Sequence, residues 1–142
     1  MTNGEVISGP GEDHAPVILL VEDEVLVRFA TAEVLRDQGY VVLEAVNASE
    51  ALALIATGHP LDLVLSDIRM PGLMDGVDLT FAVKQVRQNL PVALVSSHLD
   101  PDREHAAEAF LAKPYRPEQL VSLVAQLVGA EWQTRCISPT AS

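Results

Sequence analysis

The sequence predicts an α/β fold: five βα units wound into one parallel sheet with helices on both faces. Three observations point there. Short apolar runs recur along the chain without polar alternation, as in strands buried on both sides. Longer stretches between them space apolar residues three and four apart, the period of a helix packed on one side. Strand and helix alternate, and right-handed crossovers between parallel strands then place helices on both faces of the sheet.

The elements follow in order. Val17–Val21 is the first apolar run. Val27, Ala30 and Val34 mark one face of the helix after it, which stops at Gly39. Val41–Leu43 reads as the second strand, and Ala48, Ala51, Leu52 and Ile55 as the second helix face. Asn47 with Glu50 resembles a capping box at its start, and Gly58 ends it. Leu61–Leu65 is the third run, and Leu79, Val83 and Val86 mark the third helix. Val92–Val95 and Phe110–Ala112 are the fourth and fifth strands. Between them, Pro101 and Asp102 could open only a short helix through Ala106, Ala107 and Ala109, so a short or mobile fourth helix is expected. Leu120, Leu123, Val124, Leu127 and Val128 form the clearest stripe, closed by Gly129.

With 142 residues the chain has the length of one domain and can bury a substantial core. That domain is expected over residues 16–129, between a disordered tail at 1–15 and a flexible one at 130–142. Nine basic residues against twenty acidic ones give a net charge of −11 without a Lys/Arg cluster. This argues against nucleic acid and anionic membrane surfaces as partners, since both demand basic side chains. A single cysteine, Cys136, excludes an internal disulfide and a cysteine-based zinc site. No apolar stretch reaches membrane-spanning length and no secretory leader is evident, so a cytoplasmic location is expected.

Ligands of such a sheet bind at the carboxyl ends of its strands. The first strand ends in Glu22-Asp23-Glu24, the third in Ser66-Asp67, the fourth in Ser96-Ser97-His98 and the fifth in Lys113-Pro114. In the flavodoxin-like strand order 2-1-3-4-5, strands one and three are neighbours. Glu22, Asp23 and Asp67 then share one shallow pocket, with Ser96 and Lys113 nearby. Carboxylates that close repel by about 4 kcal/mol per pair in a partly screened site. A hard dication relieves this, and an open, oxygen-only site suits Mg²⁺. With the metal and Lys113 the charge approaches neutrality, so the pocket can receive a phosphoryl group, towards which a carboxylate can act as nucleophile. Taken singly, these residues are less telling. Glu22 to Glu24 also suit a helix N-terminus, and Asp67 an Asx turn before Pro71-Gly72.

Together they resemble the receiver domain of the two-component response-regulator family. The resemblance rests on Leu20-Val21-Glu22-Asp23-Glu24, Asp67-Ile68-Arg69-Met70-Pro71-Gly72 with Asp75-Gly76, Pro91 to Ser96, and Phe110-Leu111-Ala112-Lys113-Pro114-Tyr115. It covers about residues 16–129. It implies that Asp67 accepts a phosphoryl group from a sensor histidine kinase or a histidine phosphotransfer domain. It also implies Mg²⁺ on Glu22, Asp23, Asp67 and the backbone carbonyl of Arg69, with Ser96 and Lys113 contacting the phosphoryl group. Ser96 and Phe110 would form the switch to a downstream protein target, and the Lys113–Pro114 bond would be cis. Arg69 and His98 stand where the family tunes phosphoryl lifetime, although His98 also suits a solvated loop. His14, His59 and His105 read as surface residues.

Three departures from the family pattern are visible. Leu73 lengthens the Pro71-to-Asp75 loop by one residue, Ser97 replaces a smaller residue, and the segment from Ser96 to Lys113 is shortened. The short fourth unit, with no output domain expected after it, resembles stand-alone regulators. The expected role is thus a phosphoacceptor signalling domain rather than an enzyme. Alternatives are a phosphate sink for a kinase shared with another regulator, and a non-phosphorylated binding module. A dehalogenase-type phosphatase wants a second aspartate where Arg69 stands. A flavin-binding protein wants a neutral phosphate loop where Glu22-Asp23-Glu24 would repel phosphate.

Overall fold

A computed structural model describes residues 15–97 and 105–129. Its five strands are β1 (Val17–Val21), β2 (Val41–Ala45), β3 (Leu63–Asp67), β4 (Val92–Ser96) and β5 (Ala109–Ala112). Its helices are α1 (Val25–Asp37), α2 (Ala48–Ala56), α3 (Gly76–Val86) and α4 (Pro117–Val128). The strands form one all-parallel sheet in the order β2-β1-β3-β4-β5. This is the order 2-1-3-4-5 expected from the sequence, and the fold is flavodoxin-like.

Two apolar layers sandwich the sheet. One joins Leu19, Val21, Val64, Val92 and Leu94 to Ile55 of α2 and Leu79 and Val83 of α3. The other joins Ile18, Leu20, Leu63, Leu65 and Ala93 to Ala32 and Leu35 of α1 and Leu120 and Val124 of α4. Alternate strand residues thus feed opposite layers, so every central strand reads as an unbroken apolar run.

Local chemistry sets the helix starts. Asp75 and Asp78 close a reciprocal capping box on α3, their carboxylates accepting the Asp78 and Asp75 backbone N–H groups at 3.0 and 3.1 Å. Asn47 caps α2 by accepting the Glu50 N–H at 2.8 Å, whereas Glu50 reaches past it to the Val46 N–H at 2.9 Å. Pro117 opens α4 at a position where its missing N–H costs nothing.

Several expectations need correction. The buried residues of α1 are Thr31, Ala32 and Leu35, whereas Ala30 is exposed and Val27 and Val34 are half-buried. Val27, Ala30 and Val34 share a face that lines a groove beside α4, and Val34 also packs against the core layer. Val86 is 62% exposed at the end of α3, the buried face being Val77, Leu79, Thr80 and Val83. The third strand starts at Leu63 rather than Leu61. Asp62 precedes it, its carboxylate accepting the Val17 N–H at 2.8 Å. The proposed fourth helix, from Pro101 through Ala109, begins on residues 101–104, which lie outside the described residues. Where it should continue, residues 105–108 are not helical and Ala109 begins β5.

Candidate functional site

The carboxyl ends of β1, β3 and β4 and the loop after β5 meet at one place. Glu22 prolongs the β1 ladder by one bond, its N–H donating to the Ala45 carbonyl at 3.0 Å. Its carboxylate accepts the Glu24 N–H at 3.1 Å, which folds the acidic turn over the end of the strand. Asp67 is the last residue of β3, in register with Val95 of β4. Lys113 is fixed through its N–H, which donates to the Ser96 carbonyl at 3.0 Å. Its ammonium then lies 3.3 Å from Asp67 Oδ2 and 3.9 Å from Glu22 Oε1. The Lys113–Pro114 peptide bond is cis.

Glu22, Asp23 and Asp67 each present an oxygen, and these lie within 4.8 Å of one another. Glu22 is buried, Asp67 half-buried and Asp23 exposed, so the cluster opens to solvent on one side. Burial pushes the Asp67 carboxyl above its ordinary value, with Asp23 acting the same way. The Lys113 charge and hydrogen bond, and the Ile68 N–H, pull it back without cancelling the effect. Burial likewise raises Glu22, helped by Asp67 and Asp23 and opposed by the Glu24 N–H and Lys113. One ammonium does not offset three carboxylates, so the site favours added positive charge. An all-oxygen donor set open to water is what a hard divalent cation accepts.

Ser96 is buried at the end of β4. Phe110 pairs with Leu94 across β4 and β5 and is half-buried against the layer that contains α2 and α3. Arg69 is exposed on the loop after β3. His98 and His14 lie outside the described residues, and His59 and His105 are exposed. Leu73 is fully exposed at the tip of the lengthened loop.

Two further residues, Gly76 and Arg28, support the acids from behind. A side chain on Gly76 would collide with the Asp67 carbonyl oxygen and lie 2.8 Å from Ile68 Cα. Only glycine lets α3 start so close behind the strand that carries Asp67. Arg28 donates to the carbonyl of Glu22 at 2.9 Å. Beside Lys113 runs an apolar groove of about 720 Å³ between α1 and α4, lined by Leu26, Val27, Ala30, Val34 and Tyr115 among others. Leu26, which lines it, and Phe29, also on α1, are 80% and 61% exposed. Among the described residues no helix is long and apolar enough to cross a membrane.

Comparison with known proteins agrees with this geometry. Residues 18–125 match the family model for the response regulator receiver domain. The chain is 37% identical to the transcriptional regulatory protein AruR of Pseudomonas aeruginosa, over 80% of this chain and 49% of that protein. It is 31% identical to sporulation initiation phosphotransferase F of Bacillus subtilis, over 72% of this chain and 86% of that protein. The chain spans about half or less of the length of the first curated relatives it matches. Among solved structures, chemotaxis protein CheY4 of Vibrio cholerae superposes with a TM-score of 0.73 at 27% identity, covering 80% of this chain and 99% of that one. The chain therefore belongs to the response regulator receiver domain family.

Proposed function

We propose that Asp67 accepts a phosphoryl group from a phosphohistidine on a sensor histidine kinase or histidine phosphotransfer domain. The observation that carries this reading is the half-buried Asp67 carboxylate, held 3.3 Å from the Lys113 ammonium inside a triad of acidic residues. In the transfer, a carboxylate oxygen of Asp67 attacks phosphorus while the P–N bond to imidazole breaks. The departing imidazole nitrogen keeps the electron pair and takes up a proton. Lys113 favours the ionised form of Asp67 beforehand and pairs with the transferred group afterwards. Ser96, buried at the adjacent strand end, supplies a hydroxyl to one phosphoryl oxygen.

Glu22, Asp23, Asp67 and the backbone carbonyl of Arg69 would hold Mg²⁺, which neutralises charge on the transferring oxygens when bound. Arg69, and His98 beyond the described residues, would tune how long the acyl phosphate survives. Ser96 and Phe110 would carry the change to a protein-binding surface, in the manner of charge switches that bias a packed element. The apolar residues Val25, Leu26 and Phe29, exposed on α1, offer the phosphodonor a docking surface next to the site.

The test is incubation with acetyl phosphate and Mg²⁺, followed by intact mass. The protein should gain one phosphoryl group, and Asp67→Asn should gain none. A gain that persists in that variant overturns the assignment.

A further inference from the structure

The acidic turn that would hold the metal is braced from the edge of the sheet by a strut that does not touch the metal. The strut begins where the β1 ladder runs out. Val21 pairs with Ala45 and ends the β1–β2 register, and Glu22 gains one more bond through its N–H to Ala45. Its carbonyl has no strand opposite it, and Glu22 is only 5% exposed. A buried carbonyl needs a donor. Arg28, one turn into α1, provides it: Nη1 donates to the Glu22 oxygen at 2.9 Å.

Arg28 is itself anchored. Its Nε donates to Glu44 Oε1 of the edge strand β2 at 3.0 Å. The other oxygen of Glu44 lies 3.1 Å from Arg36, which also donates to the Val42 carbonyl at 2.8 Å. One β2 carboxylate thus holds two α1 arginines, and the planar fork of Arg28 spans from it to the Glu22 peptide. The Arg28 side chain is 15% exposed, so water competes little for these bonds. Both ends of the Glu22 residue are therefore tied to β2, directly at the N–H and through Arg28 and Glu44 at the carbonyl.

We infer that Arg28, anchored by Glu44, is a positioning residue that presets the Glu22–Asp23 turn for a divalent cation. This rests on the metal-binding reading above. Without the strut the Glu22 carbonyl loses its donor and the peptide is free to rotate. Asp23, the next residue, then loses its aim. Partners behind the ligands of a metal site typically set affinity roughly tenfold or more.

The experiment uses Mn²⁺ as probe, with its free-ion electron paramagnetic resonance signal reporting binding to the whole chain. Arg28→Met keeps the aliphatic stem and removes the donors. Its dissociation constant for Mn²⁺ should rise roughly tenfold. The amide ¹⁵N resonance of Asp23 should also move in the metal-free protein, because that nitrogen shares the peptide whose carbonyl has lost its donor. Glu44→Ala, which leaves Arg28 in place but unanchored, should weaken Mn²⁺ several-fold and carries the test if Arg28→Met does not fold. Folded variants with wild-type affinity or an unmoved Asp23 resonance overturn the inference and leave the metal site standing. Wild-type protein that binds no Mn²⁺ removes the metal reading itself, and the inference with it.

Discussion

Asp67 is held in a position that costs the metal-free protein stability. Burial raises its carboxyl above the ordinary value, and Lys113 does not fully compensate. A carboxyl raised on folding stabilises the native state below its unfolded-state value, and that contribution is lost as pH rises through the folded value. At neutral pH the folded protein therefore carries a penalty that an uncharged isostere removes. Asp67→Asn is expected to stabilise the metal-free protein by about 1 kcal/mol at pH 7, the scale of other relieved functional strains. The gain should shrink as pH falls from 7 through the folded-state value, where wild-type Asp67 takes up a proton too. Thermal unfolding of both proteins across this range checks it, and a gain that grows in acid would contradict the sign.

The acids of this site were legible because each stands within two residues of the end of an apolar run, and a strand end is a place the sequence can name. Arg28 was not legible, and Gly76 was legible only as part of the Asp75-Gly76 motif, without the reason for it. Their roles depend on a carbonyl and a helix start brought close only by the fold. An arginine in the first turns of a helix reads as a solvated charge until its partner strand is in place.

At the scale of elements, α3 and the edge strand β5 show how the sheet is tied together near the site. Gly76 starts α3 with its N–H donating to the Ile68 carbonyl at 2.7 Å, directly behind Asp67. Gly76→Ala forces a methyl group against backbone, which can give way only by moving the end of β3 or the start of the helix. The expected cost is about 1–3 kcal/mol. Phosphorylation at Asp67 should slow in the same variant, as acetyl phosphate labelling at fixed time would show. Wild-type stability with wild-type labelling would mean that the close approach has no consequence.

On the far side of α3, Lys84 bonds Glu108 at 2.6 Å and the Leu90 carbonyl at 2.7 Å. Glu108 in turn accepts the Val92 N–H at 2.9 Å, so one clasp joins α3, β4 and the start of β5. Burial works against the Glu108 charge. The hydrogen bonds from Lys84 and Val92 outweigh it and, with the Lys84 charge, hold the carboxyl below its ordinary value. The sign is opposite to that of Asp67: this contribution is present above the unfolded-state value and lost as pH falls through the folded one. Glu108→Gln should cost about 1 kcal/mol at pH 7, given a half-exposed pair with a charge-assisted bond to backbone. The cost should fade in acid, measured by urea unfolding at a series of pH values. The helix faces show the limit of periodicity at this scale. The Val27-to-Val34 stripe has helical spacing yet lines a groove, because apolar spacing does not distinguish a fully buried face from one half open to solvent.

For the whole molecule, a net charge of −11 and a carboxylate cluster mean that any cation bound at the strand ends would compete with protons. A divalent ion that binds only the folded chain stabilises it by mass action, about 2.7 kcal/mol at a concentration one hundred times its dissociation constant. The ion requires ionised ligands, and the Glu22 and Asp67 carboxyls are both raised by burial. Protons therefore compete for this site at higher pH than they do for ordinary surface carboxylates. Mg²⁺ should raise the unfolding temperature at pH 7 to 8, and the increment should diminish on acidification before the surface acids as a whole titrate. Asp23→Asn, which removes an exposed ligand without leaving a charge unpaired in the interior, should abolish most of the increment at every pH. An Mg²⁺ increment that survives in that variant, or that falls only when the bulk carboxylates protonate, would place the ion in the diffuse field of the acidic surface. The ordered strand ends would then be a cluster of acids without a resident cation, and the loss of Asp67's penalty in Asp67→Asn would remain as a thermodynamic signature of their burial.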